Sequence, residues 1–97
     1  MKRIIVSRHP ATVAYLRDEL GPDWSSVPAI ASATADDVRG VIVAGNLPLH
    51  LAALAASVIA VEFDGDPPRG AEYGRTEMEA AGVRLSRYVV TAAERAT

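Results

Sequence analysis

The stretch RIIVSRHPATVAYLRDELGP (residues 3–22) contains the pattern that decides the fold. Its opening residues, 3–7, are mostly branched and apolar, which predicts a buried strand. Pro10 follows closely and suits the first turn of a helix, where a missing N–H costs nothing. Apolar residues then recur on one helical face until Gly21 ends the segment; they are Val13, Leu16 and Leu20. The stretch therefore predicts a strand, a polar junction and an amphipathic helix.

A second stretch, GVIVAGNLP (residues 40–48), repeats this order of strand, small or polar residues and proline. The apolar segment 49–57 then predicts a helix that is buried on more than one side. Further strands are predicted at 58–64 and 83–90, and a short edge strand at 27–31, because Pro28 cannot donate to a neighbour. A turn or a brief helix capped by Thr34 and one or two helical turns over 75–82 complete the prediction.

Strands that alternate with helices predict a mostly parallel sheet covered on both faces, with right-handed crossovers. The expected fold is a small Rossmann-like, three-layer α/β structure, formed by a single domain over residues 1–97. In such sheets ligands bind beyond the carboxyl ends of the strands, where the strand order reverses.

Composition excludes several classes of protein. The chain has 97 residues, a net charge of −2 and no cysteine. The charge argues against a binder of double-stranded nucleic acid, which needs a broad basic face, and the absence of cysteine excludes disulfides and thiolate chemistry. No apolar run reaches the ~20 residues of a membrane span, and the first residues do not resemble a signal peptide. We expect a cytoplasmic protein without membrane partners.

The two junctions predict a crevice that accepts phosphate. If their strands are neighbours, both helix N-termini point toward one place and offer N–H groups to an anion. Arg8 adds a guanidinium that matches phosphate geometry, and Gly45 would let a ligand approach the backbone. Arg69 could cover the crevice from the side. The predicted lining comprises Ser7, Arg8, His9, Gly45, Asn46, Leu47 and Pro48.

Each of these residues also has a simpler interpretation. Ser7, His9 and Asn46 could serve only to satisfy backbone groups near helix starts, and Arg8 could be a solvated surface residue. His50 is interpreted as a hydrogen-bonded packing residue rather than a catalyst. The nearby Asp64 and Asp66 offer two carboxylates without a third ligand, so a turn is favoured over a metal site. We predict no metal and no cofactor.

Three segments, in this order and spacing, resemble a family of small CRISPR-associated accessory proteins found beside type III CRISPR systems. They are VSRHPAT (6–12), GNLPLHLAA (45–53) and PPRGAEYGRTEMEAAGVRLSRY (67–88). The resemblance implies a Rossmann-like ring nuclease that degrades a cyclic oligoadenylate messenger, most simply cyclic tetra-adenylate, and so switches the antiviral response off. It also implies a two-fold homodimer, because the ring is itself symmetric.

Cleavage of such a ring needs no metal, since the ribose 2′-hydroxyl can attack the adjacent phosphate. Arg8 would stabilise the transition-state charge, Ser7 would position the phosphate or the hydroxyl, and His9 would act as general acid or general base. Two other classes stay open at this stage. The same crevice would serve a sponge or sensor that binds the ring intact, and a mononucleotide phosphatase is disfavoured because no cysteine nucleophile is present.

Overall fold

The computed structural model describes residues 1–67 and 73–97, and its five strands form one sheet. The strands are β1 (Arg3–Val6), β2 (Ala29–Ile30), β3 (Ile42–Ala44), β4 (Ser57–Phe63) and β5 (Val83–Tyr88). The helices are α1 (Pro10–Leu20), α2 (Ala35–Val38), α3 (Leu49–Ala52) and α4 (Arg75–Ala80), and a 3-10 helix spans Pro22–Trp24.

The sheet has the strand order β2-β1-β3-β4-β5. β1 pairs in parallel with β2 and β3, and β3 pairs in parallel with β4, whereas β5 runs antiparallel to β4. This mostly parallel sheet with helices confirms the predicted small Rossmann-like α/β fold. The chain leaves β1 toward β2 on one side and returns to β3 on the other. The strand order therefore reverses between β1 and β3, which are neighbours as the sequence required.

Each face of the sheet has its own apolar core, because alternate strand residues point to opposite faces. On one face Ile5 and Ile59 pack with residues of α1, α4 and the 3-10 helix. On the other face Val43 and Val58 pack with residues of α2 and α3. The first core includes the bulky side chains Tyr15, Leu16, Trp24 and Met78, and the second is built mainly from valine and alanine.

The segment after β3 is a shorter helix than the sequence predicted. α3 has four residues. The chain after it already bonds to the two residues that precede β3, because Gly40 N–H donates to Leu54 O and Ala56 N–H donates to Val41 O. β3 itself has three residues, about 10 Å at ~3.3 Å per residue, so the returning chain needs little length. The predicted burial is also wrong, since Leu49 is 77% exposed and His50 is exposed rather than packed.

The short α3 leaves part of one sheet face without a helix. We call this part the open face; it comprises Ala60 and Glu62 of β4 and Arg84, Ser86 and Tyr88 of β5, in which Ala60 pairs with Ser86 and Glu62 with Arg84. Ser86 Oγ donates to Glu62 Oε1 at 2.5 Å, and the Tyr88 hydroxyl donates to Glu62 Oε2. These two bonds lower the pKa of the Glu62 carboxyl, and the bond to Glu62 raises the pKa of Tyr88. The hydrogen bonds tie β5 to β4 by side chains as well as backbone.

Gly45 directly follows β3 and lies against Val6 of β1. Its φ is +127°, and a Cβ atom at this position would collide with the carbonyl oxygen of Val6. Its own N–H donates to Ile59 O at 2.9 Å. A side chain at residue 45 would therefore push apart the two strands whose ends form the crevice. This differs from the predicted reason for the glycine, which was the approach of a ligand.

We predict that Gly45→Ala lowers the free energy of unfolding by about 2 to 4 kcal/mol, because it combines backbone strain with a backbone collision. Gly40→Ala is the matched control. Gly40 also has a positive φ, of +70°, but no described atom outside its neighbours lies within 4 Å of its would-be Cβ. That control should cost only about 1 kcal/mol. Equal losses in urea denaturation would contradict the proposed role of the Val6 contact.

Candidate functional site

A cleft of about 410 Å³ lies at the carboxyl edge of the sheet, where the strand order reverses. It brings together the two junctions that the sequence singled out, one after β1 and one after β3. The described lining residues are Val6, Ser7, Arg8, His9, Thr12, Ala31, Ser32, Ala33, Asn46, Leu47, Pro48, Leu51, Val61, Phe63 and Tyr73.

The charges around the cleft favour an anion. The whole chain has a net charge of −2, yet none of the described lining residues is acidic, and the lining includes Arg8 and His9. Arg8 is exposed, and within residues 1–67 and 73–97 no ion pair engages its guanidinium. A guanidinium held at a concave surface without a neighbouring carboxylate suits a phosphate group.

The Ser7 side chain forms a hydrogen bond with the backbone just before α1. Its Oγ accepts a hydrogen bond from the backbone N–H of His9 at 3.2 Å, and its own N–H donates to Ile30 O at 3.0 Å. The simpler interpretation of Ser7, that it satisfies a backbone group near the helix start, is therefore observed. Its hydroxyl hydrogen is still available for a ligand, because the oxygen acts as acceptor in this bond.

His9 occupies the N-cap position of α1, but no side-chain hydrogen bond caps this helix in the described structure. The His9 carbonyl accepts bonds from the N–H groups of Thr12 and Val13, at 3.0 and 3.1 Å. The imidazole instead lies against the ring of Tyr73, with the ring centroids 4.7 Å apart and the planes tilted by 41°. The imidazole nitrogens therefore do not cap the helix, and they can exchange a proton with a ligand.

Asn46 has a role that the sequence did not indicate. Its Oδ1 accepts from Val61 N–H at 2.7 Å, and its Nδ2 donates to Val61 O at 3.0 Å. The side-chain amide thereby imitates one more residue of β3 beside β4. Asn46 does not cap α3, whose N-cap residue is Pro48. It lines the cleft, but both polar ends of its amide are engaged with backbone.

The other predicted residues divide into three groups. Leu47 and Pro48 line the cleft, whereas Gly45 lies buried beside Val6 and is not among the lining residues. Arg69 lies outside the described residues.

The prediction that both helix N-termini favour an anion needs a correction, because α3 is a single turn. A helix this short has little macrodipole, and only α1 retains that contribution.

No metal cluster is visible in the part of the chain that the structure describes, since no three His, Asp or Glu side chains come together there. Asp64 forms an ion pair with Arg84 and donates its backbone N–H to Gly82 O at 3.1 Å. Asp66 is exposed. Asp64 therefore lies in the bend that directly follows β4. Among the described helices, none is long and apolar enough to cross a membrane.

Comparison with protein families gives one match. Residues 4–91 match the model of the family described as "Putative CRISPR-associated protein (Cas_VVA1548)". The chain belongs to this CRISPR-associated family. Comparisons with curated proteins and with solved structures gave no significant match. The family match confirms the CRISPR association expected from the resemblance, and it covers both junctions of the cleft.

Several cleft residues were not predicted from the sequence. Thr12 and Tyr73 are joined by a hydrogen bond of 2.9 Å between their hydroxyl oxygens, although 61 positions separate them. No local pattern marks such a pair. A signal did exist for residues 31–33, because they directly follow the short strand β2 and so reach the same sheet edge as Ser7.

Proposed function

We propose that this protein is a metal-independent ring nuclease that binds and degrades a cyclic oligoadenylate, preferably cyclic tetra-adenylate. It would act in the cytoplasm to switch off type III CRISPR signalling. The observation that carries the proposal is the cleft at the strand-order reversal, which includes Arg8 and His9 and has no acidic residue among its described lining. Membership of a CRISPR-associated family supports the biological setting.

The proposed reaction is an internal transfer at phosphorus. The ribose 2′-oxygen bonds to the phosphorus, and the bond from phosphorus to the 5′-oxygen breaks. The 2′-hydroxyl loses its proton and the 5′-oxygen gains one, so the products carry a 2′,3′-cyclic phosphate and a 5′-hydroxyl. The enzyme needs to hold the 2′-oxygen in line with the leaving group and to offset charge on the phosphoryl oxygens.

The residues of the β1 junction suit these tasks. The Arg8 guanidinium can contact phosphoryl oxygens with paired donors, and the Ser7 hydroxyl can donate to the same group. The His9 imidazole, which is not engaged in helix capping, can move a proton as general acid or general base. Asn46 and Gly45 contribute by holding β3 and β4 in place, so we assign them no chemical step.

A second candidate function is binding without cleavage, as in a sponge or sensor. One observation favours it: both polar ends of the Asn46 amide are engaged with the backbone of Val61, so this cleft residue offers no group for chemistry. The same cleft would then retain the ring through charge and shape alone.

We predict that the protein, in molar excess over labelled cyclic tetra-adenylate, converts it to linear products that carry a 2′,3′-cyclic phosphate. Rings of three and six adenylates should react more slowly. EDTA should leave the rate unchanged, because the nucleophile is the substrate's own hydroxyl. Quantitative recovery of the intact ring after prolonged incubation would indicate the sponge instead. Loss of activity in EDTA with recovery in Mg²⁺ or Mn²⁺ would refute the metal-independent reaction.

We predict that binding and chemistry separate between Arg8 and His9. Arg8→Ala should weaken ring binding and slow cleavage, since its charge meets the phosphate in both the ground state and the transition state. His9→Ala should bind nearly as well as wild type but cleave ~10²–10⁴-fold more slowly, the usual contribution of general acid–base catalysis. Ser7→Ala should fall between the two. Affinity by titration and single-turnover rates distinguish these effects.

Matched controls for these variants exist in the same chain. Arg39→Ala removes an exposed arginine that is paired with Asp36 before β3, at the opposite edge of the sheet. His50→Ala removes the second of the two histidines, which is exposed on α3. Both controls should retain wild-type affinity and rate. Unchanged affinity in Arg8→Ala would show that the ring binds elsewhere, and an unchanged rate in His9→Ala would remove His9 from the mechanism.

We also propose that the protein acts as a two-fold homodimer formed through the open face. Tyr88 there is 45% exposed, and Leu49 of α3 is 77% exposed. An apolar groove of about 300 Å³ lies among these side chains, and Asn46 and Leu47 line both this groove and the cleft. A second copy on this face would therefore bring two clefts close to one axis, which suits a symmetric ring.

We predict that the wild-type protein is a dimer by light scattering at micromolar concentration, and that Leu49→Glu makes it a monomer. The introduced carboxylate would be desolvated in an apolar contact. Ala14→Glu is the control, because Ala14 is exposed on α1, on the other side of the sheet. A wild-type monomer both with and without the ring would contradict the proposed dimer. A dimer that survives Leu49→Glu would place the contact on another surface.

A further inference from the structure

Tyr73 lies in neither junction, yet it lines the cleft. It precedes α4 in the chain and is half-buried. Its ring contacts the imidazole of His9, with the centroids 4.7 Å apart. Among the described residues no hydrogen bond holds that imidazole, so the aromatic contact is what limits its orientation.

The hydroxyl of Tyr73 is itself held by α1. It forms a hydrogen bond of 2.9 Å with Thr12 Oγ1, and Thr12 is only 7% exposed. The backbone N–H of the same Thr12 donates to the His9 carbonyl at 3.0 Å. Thr12 therefore fixes His9 twice, directly through the backbone and indirectly through the ring of Tyr73.

The backbone next to Tyr73 is attached to α1 as well. Arg75, two residues later, pairs with Asp18 and Glu19 of α1 at 3.1 and 3.2 Å and with Glu79 of its own helix at 3.0 Å. Its guanidinium also lies over the ring of Tyr15, 4.7 Å from the centroid. Exposed ion pairs are individually weak, but this network and the cation–π contact fix α4 against α1. Tyr73 is thereby held at its hydroxyl and at its backbone.

We propose that Tyr73 is a positioning residue that keeps the His9 imidazole in the orientation required for proton transfer. This inference rests on the proposed ring nuclease function. An imidazole without a hydrogen-bonding partner can occupy several rotamers, whereas proton transfer needs a heavy-atom separation of ~2.6–3.2 Å from the reacting group. The ring of Tyr73 restricts those rotamers before the ligand arrives, which lowers the cost of reaching the reactive geometry.

The kinetic test uses three variants in single-turnover cleavage of cyclic tetra-adenylate. Tyr73→Leu removes the ring and should slow cleavage about 10- to 100-fold, with affinity for the ring within about threefold of wild type. Tyr73→Phe keeps the ring but loses the bond to Thr12, so its rate should lie between that of wild type and Tyr73→Leu. Thr12→Val removes the same bond from the other side and should match Tyr73→Phe.

A double-mutant cycle tests whether Tyr73 acts through His9. In a His9→Ala background, Tyr73→Leu should change the rate by less than about twofold, because the group that it positions is already absent. A rate loss as large as that in the wild-type background would overturn the proposal. So would a Tyr73→Leu variant that loses affinity and keeps its rate, since Tyr73 would then contact the ligand itself.

An NMR measurement separates this inference from the proposed activity. The chain has two histidines, so the exposed His50 is an internal reference for the imidazole resonances. Tyr73→Leu should shift the His9 resonances by removing the ring current and should leave those of His50 unchanged. Unshifted His9 resonances would overturn the positioning contact. If the His9 resonances shift but the wild-type protein leaves the ring intact, the proposed activity fails, whereas the contact between Tyr73 and His9 stands without a catalytic role.

Discussion

The parallel pairing of β1 with β3 determines where every residue of the cleft can lie. The register places Arg3 opposite Ile42 and Ile5 opposite Ala44, so the two strands end at nearly the same height. The residues that follow them must emerge at one edge of the sheet. The pairing is close enough that only glycine fits at residue 45, against the Val6 carbonyl. A one-residue slip would turn the apolar side chains of β1 to the wrong faces and separate the two junctions.

The short strands have a second consequence, on the face that α2 and α3 cover. Because β3 has three residues, the return to β4 needs only one turn of helix, and α3 covers little of the sheet beyond β3. The β4–β5 ribbon extends past this cover and is stabilised by the bonds of Ser86 and Tyr88 to Glu62. The shortness of β3 and α3 thus leaves apolar surface beside the cleft. A chain of 97 residues buries only a modest fraction of its surface, and this apolar surface is the one through which we propose that the dimer forms.

The sequence predicted the elements whose signals are local. The strand over 3–7, the helix from Pro10 to Leu20 and the edge strand near 27–31 follow from apolar periodicity and from the positions of proline and glycine. The length of α3 was not predictable in this way, because the alanine-rich segment has high helix propensity and tertiary geometry overrides it. The end of that helix depends on bonds to Gly40 and Val41, which are distant in sequence.

The sequence predicted where the site lies but not the role of each residue in it. The two junctions could be found because each directly follows a strand, but the roles within them depend on contacts across the fold. The Asn46 amide bonds to the backbone of Val61. Tyr73 bonds to Thr12 and contacts the ring of His9. All three contacts join residues that are distant in sequence, so no local pattern predicts them. These contacts divide the cleft into two kinds of polar group. Ser7 Oγ and the Asn46 amide bond to backbone and maintain its shape, whereas the side chains of Arg8 and His9 form no hydrogen bond with the described residues. The reaction that we propose would use both sets, because a shape fixed by backbone bonds lowers the reorganisation that charged groups need in order to stabilise a transition state.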